Sequence, residues 1–249
     1  MKTVLITGCS SGFGLEIARH FLARDWQVVA TMRTPAADVL PPSERLRVLA
    51  LDVTDTRSIR NAVDAAGPID VLVNNAGFGV ASPAELAPLD LVRELFETNT
   101  FGTIALTQAV LPQFRQRGAG VVVNVTSSVT LKPLPLVAAY RASKAAVNAF
   151  TESMAVELEP MGIRAHLVLP GRSPETRFAQ NAQGRMIGFD HPGYAEFVQK
   201  ALARLMDPSA PTTRVQDVVE AVWRAATDPS APLRIPAGAD AVAWAAEAR

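Results

Sequence analysis

Two kinds of apolar segment alternate along the chain, and this alternation limits the fold more than any other feature. Short continuous runs of valine, leucine and isoleucine are typical of parallel strands that are covered on both faces. The segments between them carry apolar residues at helical spacing. Alternating strands and helices predict an α/β fold with a doubly wound, mostly parallel seven-stranded sheet and helices on both faces. The predicted strands are 3–7, 27–31, 46–51, 71–74, 120–126, 164–169 and 233–235, and the predicted helices are 14–24, 56–66, 89–117 with a break near Asn99, 138–159, 194–206 and 215–226.

The composition predicts a globular protein with a large core. Apolar residues make up 49% of the 249 residues and charged residues 19%, which argues against disorder. The 24 basic and 24 acidic residues give a formal net charge of +0, so no nucleic acid is expected as a partner. Cys9 is the single cysteine, which fits a reducing compartment. Without a signal-peptide pattern or a long apolar run, the sequence predicts a soluble cytoplasmic protein that does not enter a membrane.

A glycine-rich turn lies where the first predicted strand meets the first predicted helix. Glycines let the backbone approach a pyrophosphate closely, and the helix N-terminus offers free N–H groups and a positive dipole. The strand–turn–helix context favours a dinucleotide site over the alternative, a turn that binds nothing. The residues of this phosphate loop are Thr7, Gly8, Cys9, Ser10, Ser11, Gly12, Phe13 and Gly14.

The end of the second predicted strand indicates which dinucleotide binds. A carboxylate there binds the ribose 2′-hydroxyl of NAD, whereas an arginine accommodates the 2′-phosphate of NADP. Here Met32 occupies the position expected for the acid, and Arg33 follows it. The sequence therefore favours NADP(H). The alternative is NAD(H), with Arg33 as a solvated loop cation.

A tyrosine, a lysine and a serine form a second set with a defined spacing. Tyr140 and Lys144 are four residues apart on one predicted helix, so they share a face, and Ser127 lies thirteen residues before the tyrosine. An ammonium near a phenol favours the phenolate and lowers the pKa of the tyrosine. These residues predict a proton-transfer site for a carbonyl or hydroxyl oxygen. The alternatives are a core role for Tyr140 and Ser128 as the serine.

These motifs together resemble the short-chain dehydrogenase/reductase family over nearly the whole chain. The first forty residues are especially similar to the hydroxysteroid and retinol dehydrogenases of that family. The resemblance implies a single-domain Rossmann fold over 1–249 and an NAD(P)-dependent oxidoreductase that acts on a carbonyl or secondary alcohol. The motifs are the loop at 7–14, L-D-V at 51–53, N-N-A-G at 74–77, Asn99 in E-T-N-T-F-G, N-V-T-S at 124–127, Y-x-x-x-K at 140–144 and P-G at 170–171.

The resemblance also implies how the catalytic residues act. Tyr140 would be the general acid/base, and Lys144 would bind the nicotinamide ribose. Ser127 would orient the substrate oxygen. Asn99 would hold a water in a proton relay from Lys144 to solvent.

Further cofactor contacts are implied outside the phosphate loop. Asp52 and the Val53 backbone would hold the adenine. The N-N-A-G motif would line the cofactor through Asn75, Ala76 and Gly77.

The segment after Pro170 and Gly171 departs from the family pattern. In the family P-G-x-x-x-T is common, and its threonine binds the nicotinamide carboxamide, but here the chain reads P-G-R-S-P-E-T. Glu175 falls at the threonine position. Ser173 or Thr176 is therefore expected to make this contact.

A long irregular stretch at 170–193 predicts a substrate loop at about 172–210, since such loops are often functional. Apolar residues on this and other loops predict an apolar pocket for a small-molecule substrate, with ordinary core packing as the alternative. They are Phe78, Val80, Leu131, Leu134, Leu136, Phe178, Met186 and Phe189. Arg172 and Arg177 are interpreted as solvated cations, with carboxylate binding as the alternative.

The resemblance also bears on partners. Family members pair their long helices, here 89–117 and 138–159, so a homodimer or homotetramer is implied. The three histidines show no metal-ligand spacing, and no metal site is expected. A non-catalytic dinucleotide-binding regulator is the alternative function, and the complete Asn/Ser/Tyr/Lys set argues against it.

Overall fold

A seven-stranded sheet lies at the centre of the computed structural model, which describes residues 1–36, 38–178, 181, 184–205, 207 and 209–248. Its strands are β1 (Thr3–Thr7), β2 (Gln27–Met32), β3 (Leu46–Ala50), β4 (Val71–Asn74), β5 (Gly120–Val125), β6 (Ile163–Pro170) and β7 (Arg234–Ala237). Their order is β3-β2-β1-β4-β5-β6-β7, and every neighbouring pair is parallel. The seven predicted strands are confirmed to within two residues at each end.

Helices connect most of the strands. They are α1 (Gly12–Leu22), α2 (Thr56–Ala66), α3 (Leu89–Phe96), α4 (Gly102–Arg117), α5 (Ala138–Leu158), α6 (Ala195–Leu205), α7 (Val215–Thr227) and α8 (Ala239–Glu247). The predicted helices are confirmed to within two residues, with 89–117 divided into α3 and α4, whereas α8 was not predicted. Within the described ranges, no helix has both the length and the apolar character that crossing a bilayer requires.

The first strand shows why helices cover both faces of the sheet. Val4 and Ile6 face one side, where they pack in a cluster with α1 and α7. Leu5 faces the other side and packs with α2, α4 and α5. All three side chains are fully buried, so β1 shows the continuous apolar pattern of a strand with two covered faces.

The order of strands changes direction next to β1. The strands β2 and β3 lie on one side of β1, and β4 to β7 lie on the other. Ligands of open α/β sheets bind at the carboxyl ends of the strands at such a point. Thr7 ends β1 and Asn74 ends β4, so the phosphate loop and the N-N-A-G motif meet at this crevice.

Candidate active site

The phosphate loop is a tight turn between β1 and α1. Gly8 and Gly12 have φ of +74° and +59°, values that favour glycine. A Cβ on Gly14 would overlap the carbonyl oxygen of Gly8, so this part of the loop has no room for a side chain. Cys9 is buried beneath it, and burial raises the pKa of its thiol to about 12. A bare backbone at the N-terminus of an 11-residue helix fits a pyrophosphate.

The other side chains of the loop leave its outer surface polar. Ser10 is exposed, and Phe13 turns toward the core. Ser11 is the N-cap residue of α1, and among the described residues its side chain makes no capping hydrogen bond. Its hydroxyl therefore fits a ligand role.

Thr7 and Asn75 tie the phosphate loop to the end of β4. The Thr7 Oγ1 accepts hydrogen bonds from the backbone N–H groups of Asn75 and Ala76, both at 2.9 Å. The Asn75 Nδ2 donates to the Thr7 carbonyl at 2.8 Å. These residues, predicted as cofactor contacts, thus also fix the geometry of the cradle.

The adenine corner predicted from Arg33, Asp52 and Val53 lies at the ends of β2 and β3. The Asp52 Oδ1 accepts from the N–H and the hydroxyl of Thr54 at 2.9 and 2.8 Å. These hydrogen bonds, together with the nearby charge of Arg33, hold the pKa of Asp52 below its usual value. Arg33 is exposed while its neighbour Met32 is buried, so an exposed cation lies near Asp52 at this end of β2.

Asn99 occupies a single π-helical turn, Glu97–Phe101, between α3 and α4. Such turns are frequent at functional sites. The fully buried Asn99 amide accepts from the Phe78 N–H through Oδ1 at 3.0 Å, and its Nδ2 donates to the Phe78 carbonyl at 3.0 Å and to the Ser143 hydroxyl at 3.2 Å. The side chain is therefore occupied in holding the loop after Gly77.

Ser127, Tyr140 and Lys144 converge on the crevice, and all three are buried. The Lys144 Nζ donates to the Val125 carbonyl at 3.1 Å. A Cβ on Gly77 would lie 3.3 Å from that Nζ and 2.8 Å from the Asn99 Oδ1. Asn99 and Lys144 of the predicted set are thus brought together at Gly77.

Burial controls the ionisation of the tyrosine and the lysine. It raises the pKa of Tyr140 to about 12, although a hydrogen bond with the Ser127 side chain opposes the rise. It lowers the pKa of Lys144 to about 8. The expected lowering of the Tyr140 pKa is therefore wrong for the protein alone, because desolvation of the phenolate is the largest influence on it. The hydrogen bond favours Ser127 over Ser128.

The segment after β6 explains the irregular P-G-R-S-P-E-T sequence. Glu175 turns outward, and its Oε2 accepts from the Val215 N–H at 2.8 Å at the start of α7. Thr176 is buried, and its Cβ lies 3.6 Å from where a Cβ on Gly12 would stand. The Ser173 Oγ is buried, and no described residue is its hydrogen-bond partner. An unpartnered hydroxyl and a threonine against the phosphate loop fit a polar ligand such as a dinucleotide.

The predicted substrate loop covers the crevice through Phe178. Its ring centroid lies 5.7 Å from that of Tyr140, and a Cβ on Gly79 would lie 2.7 Å from the same ring. Farther along, Ala81 and Met186 form an isolated β-bridge. The loop therefore lies against Tyr140.

Leu136 lies just before α5, the helix that carries Tyr140. It has φ of +65°, an unusual value for a residue other than glycine. Its carbonyl accepts from the Ser82 N–H at 2.7 Å. Its buried side chain packs with Val198 and Ala201 of α6, so α6 rests on the residues just before Tyr140.

Comparison with known proteins places the chain in a family. A family model described as short chain dehydrogenase matches residues 2–185. An uncharacterized oxidoreductase of Bacillus subtilis, YusZ, is 36% identical over 238 residues, covering 91% of this chain and 85% of that protein. Human retinol dehydrogenase 8 is 34% identical over 255 residues, covering 94% of this chain and 80% of that protein. The chain belongs to the short-chain dehydrogenase/reductase family and is an oxidoreductase of that type, as the motifs predicted.

Solved structures of other short-chain dehydrogenases have a similar fold. A short-chain dehydrogenase from Streptomyces avermitilis matches with a TM-score of 0.85 at 33% identity, covering 99% of this chain and 91% of that one. One from Burkholderia cenocepacia in complex with NADP gives 0.78 at 27%, covering 99% and 93%. A 3-ketoacyl-(acyl-carrier-protein) reductase from Brucella melitensis complexed with NADH gives 0.78 at 26% identity, covering 94% of this chain and 95% of that one. Both dinucleotides thus occur among structures with this fold.

Proposed function

We propose that the protein is an NADP(H)-dependent oxidoreductase that interconverts a carbonyl compound and the corresponding secondary alcohol. The observation that carries this proposal is the hydrogen-bonded pair of Ser127 and Tyr140 beside buried Lys144. It lies at the same sheet edge as the glycine cradle. A regulator that only bound a dinucleotide would need the cradle but not this buried set.

Tyr140 acts as the proton donor in the reducing direction. With a pKa of about 12 its phenol is protonated at neutral pH, so it can donate to the carbonyl oxygen. Ser127, which is hydrogen-bonded to the phenol, orients that oxygen. The nicotinamide supplies or accepts the hydride when it is bound. In the oxidising direction Tyr140 must act as a base, so oxidation is expected to accelerate as the pH rises.

Lys144 and Asn99 supply the route by which the proton is replaced. Burial brings the pKa of Lys144 to about 8, close to the range in which it can exchange a proton at neutral pH. Because the Asn99 side chain is occupied by Phe78 and Ser143, a relay water would bind its backbone carbonyl. That carbonyl accepts from the Thr103 hydroxyl at 3.0 Å, and a backbone carbonyl oxygen has two lone pairs.

The cofactor would lie along the crevice from the adenine corner to Tyr140. The glycine cradle supports the pyrophosphate position, and the segment after β6 supports the nicotinamide end, with Ser173 and Thr176 as the carboxamide contacts. The residues proposed to hold it are Thr7, Gly8, Ser10, Ser11, Gly12, Phe13, Gly14, Arg33, Asp52, Val53, Asn75, Ala76, Gly77, Tyr140, Lys144, Pro170, Gly171, Ser173 and Thr176.

The preference for NADP(H) over NAD(H) rests on the end of β2. Residues 32–36 contain no acid, and Arg33 is exposed there. A guanidinium suits a 2′-phosphate, and a missing carboxylate removes the group that would bind a ribose 2′-hydroxyl. Separate titrations with NADPH and NADH test this, and equal or tighter NADH binding would contradict it.

The substrate is proposed to be apolar around its reacting carbon. Tyr140 packs in a cluster with Val80, Leu95 and Phe78, and the Phe178 ring covers the phenol. The segment 172–210 serves as the substrate loop. The similarity to a retinol dehydrogenase agrees with an apolar alcohol without identifying one.

A homodimer or homotetramer is also proposed. Phe101 next to α4 and Val156 on α5 are large apolar residues that are more than half exposed, at 53% and 72%. Pairing of these helices between copies would cover them. Light scattering of the purified protein measures the assembly directly.

The decisive experiment replaces Tyr140 by phenylalanine. Turnover of a panel of ketones and alcohols should be lost, while NADP⁺ binding stays close to that of the parent, since only the hydroxyl is removed. A variant with the parent rate would refute the assignment. If the parent protein binds NADP⁺ but turns over no carbonyl or alcohol, the regulator is the better explanation.

A further inference from the structure

A buried carboxylate outside the catalytic set lies at the base of the substrate loop. Asp240, in the first turn of α8, is 4% exposed. Its Oδ2 accepts from the Arg172 N–H at 2.7 Å, and its Oδ1 accepts from the Ala241 N–H at 2.9 Å. The Oδ1 also lies 2.7 Å from the Thr213 Oγ1. Backbone N–H groups and a hydroxyl thus satisfy this carboxylate.

Thr213 joins the two ends of the loop. Its N–H donates to the Arg172 carbonyl at 2.8 Å, and its Oγ1 accepts from the Gly171 N–H at 2.9 Å. Residues 171–172 and 213 therefore close the intervening segment at its base. Since Asp240 accepts hydrogen bonds from both Arg172 and Thr213, three separate parts of the chain meet in one buried cluster.

The Asp240 carboxylate packs directly against the Gly171 backbone. A Cβ on Gly171 would overlap both carboxylate oxygens of Asp240. Only a residue without a side chain allows the carboxylate to reach the Arg172 N–H. The glycine of the P-G pair therefore makes room for Asp240, a role that its place in a cofactor motif does not suggest.

We propose that Asp240 and Thr213 are positioning residues that hold the backbone at 171–172, and thereby set Ser173 and Thr176 for the nicotinamide end of the cofactor. The inference rests on the proposed function. Asp240 and Thr213 together form a clamp, which bonds the N–H of Gly171 and both the N–H and the carbonyl of Arg172. Ser173 follows at once, and Thr176 lies within one turn, where its N–H is 3.4 Å from the Ser173 carbonyl.

The first test compares Thr213→Val with Thr213→Ser. Valine has nearly the shape of threonine but leaves the Gly171 N–H only the more distant Ala237 carbonyl, at 3.4 Å, whereas serine keeps the hydroxyl. We expect NADP⁺ affinity to fall about tenfold in the valine variant and to stay within about twofold in the serine variant. Turnover at saturating cofactor should change less than the KM for cofactor, since Tyr140 is untouched.

Asp240→Asn provides an independent test. In either orientation of its amide, one of the two acceptor positions becomes a donor facing a backbone N–H, of Arg172 or of Ala241. The variant should therefore lose cofactor affinity by a similar factor. Equal affinity in Asp240→Asn, Thr213→Val and the parent would overturn the inference.

The control is Thr151→Val. The fully buried Thr151 Oγ1 donates to the Val147 carbonyl at 2.7 Å and accepts from the Asn124 Nδ2 at 2.8 Å, away from the loop. Its loss should lower the melting temperature as much as Thr213→Val while NADP⁺ affinity stays unchanged. If affinity falls equally in both, general destabilisation explains the effect and the inference is wrong.

Amide exchange in the parent protein keeps the inference testable if the variants do not fold. The N–H groups of Gly171 and Arg172 should exchange slowly before NADP⁺ is added. Fast exchange that slows only with cofactor would show that no clamp exists beforehand. A parent protein that binds neither NADP⁺ nor NADPH would instead refute the proposed function, an outcome separate from these.

Discussion

The two sides of the candidate active site are held by different interactions. On the cofactor side, buried hydrogen bonds join Thr7 to Asn75, and Gly14 has no free space around it. On the substrate side, Phe178 touches the tyrosine ring through a 41% exposed side chain, and Arg185 pairs with Glu94 at 3.3 Å near the surface. Breaking a buried hydrogen bond costs more than breaking an exposed ion pair. The cofactor side is therefore rigid, while the substrate side can open at little cost.

The largest expected effect tests the rigid side. In Gly14→Ala the new methyl group would overlap the Gly8 carbonyl oxygen, and a backbone atom cannot turn away as a side chain can. NADP⁺ affinity should fall by about 100-fold, equivalent to roughly 3 kcal/mol of overpacking. Cofactor fluorescence titration measures it.

The matched control is Gly184→Ala on the substrate loop. In the described part of the structure nothing lies within 4 Å of where a Cβ on Gly184 would stand, so NADP⁺ affinity and melting temperature should stay at parent values. If both alanine variants behave alike, the difference in rigidity between the two sides does not exist.

The second prediction concerns the charge buried between the two sides. Burial lowers the pKa of Lys144 from its ordinary 10.5 to about 8. Between these values the folded protein binds fewer protons than the unfolded chain, so stability rises with pH and the penalty is largest below pH 8. Lys144→Met should therefore raise the free energy of unfolding at pH 7 by about 2–3 kcal/mol, after allowing for one lost hydrogen bond.

Urea unfolding at pH 7 and pH 9.5 checks this, since the gain should shrink at the higher pH. The raised pKa of Tyr140 acts in the opposite sense only above about pH 10, because there the folded state retains the proton longer. A methionine variant that is less stable than the parent at pH 7 would show that the ammonium is well compensated.

Local patterns sufficed to predict the fold and much of the candidate site. Strand and helix periodicity located the elements, and the spacing of Ser127, Tyr140 and Lys144 predicted that they would meet. Burial could not be predicted in the same way, and it reversed the expected direction of the Tyr140 pKa. The direction depends on how much of the surrounding chain excludes water, which no short motif encodes.

Contacts between segments that are far apart in the sequence could not be predicted either. Asp240 accepts a hydrogen bond from the Arg172 N–H across 68 positions of sequence, and α8, which carries Asp240, was not predicted. The irregular P-G-R-S-P-E-T segment allowed two readings, Ser173 or Thr176. The role of Glu175 as a cap of α7 could not be predicted, because it depends on where the fold places Val215.

The third prediction concerns the preference of Arg33 for NADPH over NADH at the end of β2. Arg33→Ser should weaken NADPH binding about tenfold, as expected for the loss of one charge-assisted contact at an exposed site, and leave NADH binding unchanged. Arg60→Ser, an exposed arginine on α2, controls for net charge. A similar loss for NADH and NADPH would mean that Arg33 shapes the corner rather than recognising the phosphate.

The smallest expected effect tests the substrate side. Phe178→Ala removes the ring that lies 5.7 Å from Tyr140 and against Gly79. The KM for an apolar ketone should rise about three- to fivefold, because one partly exposed aromatic contact contributes about 1 kcal/mol. NADP⁺ affinity should not change, since the cofactor side is held by its own hydrogen bonds. Steady-state kinetics with either reactant varied separates the two effects.

The control for Phe178→Ala is Phe197→Ala on α6, which removes another large apolar side chain that is 51% exposed. It should leave both constants unchanged. If Phe178→Ala instead weakens NADP⁺ binding as much as it raises the KM for the ketone, Phe178 contributes to cofactor binding. The two sides of the site would then be one cooperative unit, because loosening the weaker side would also loosen the stronger.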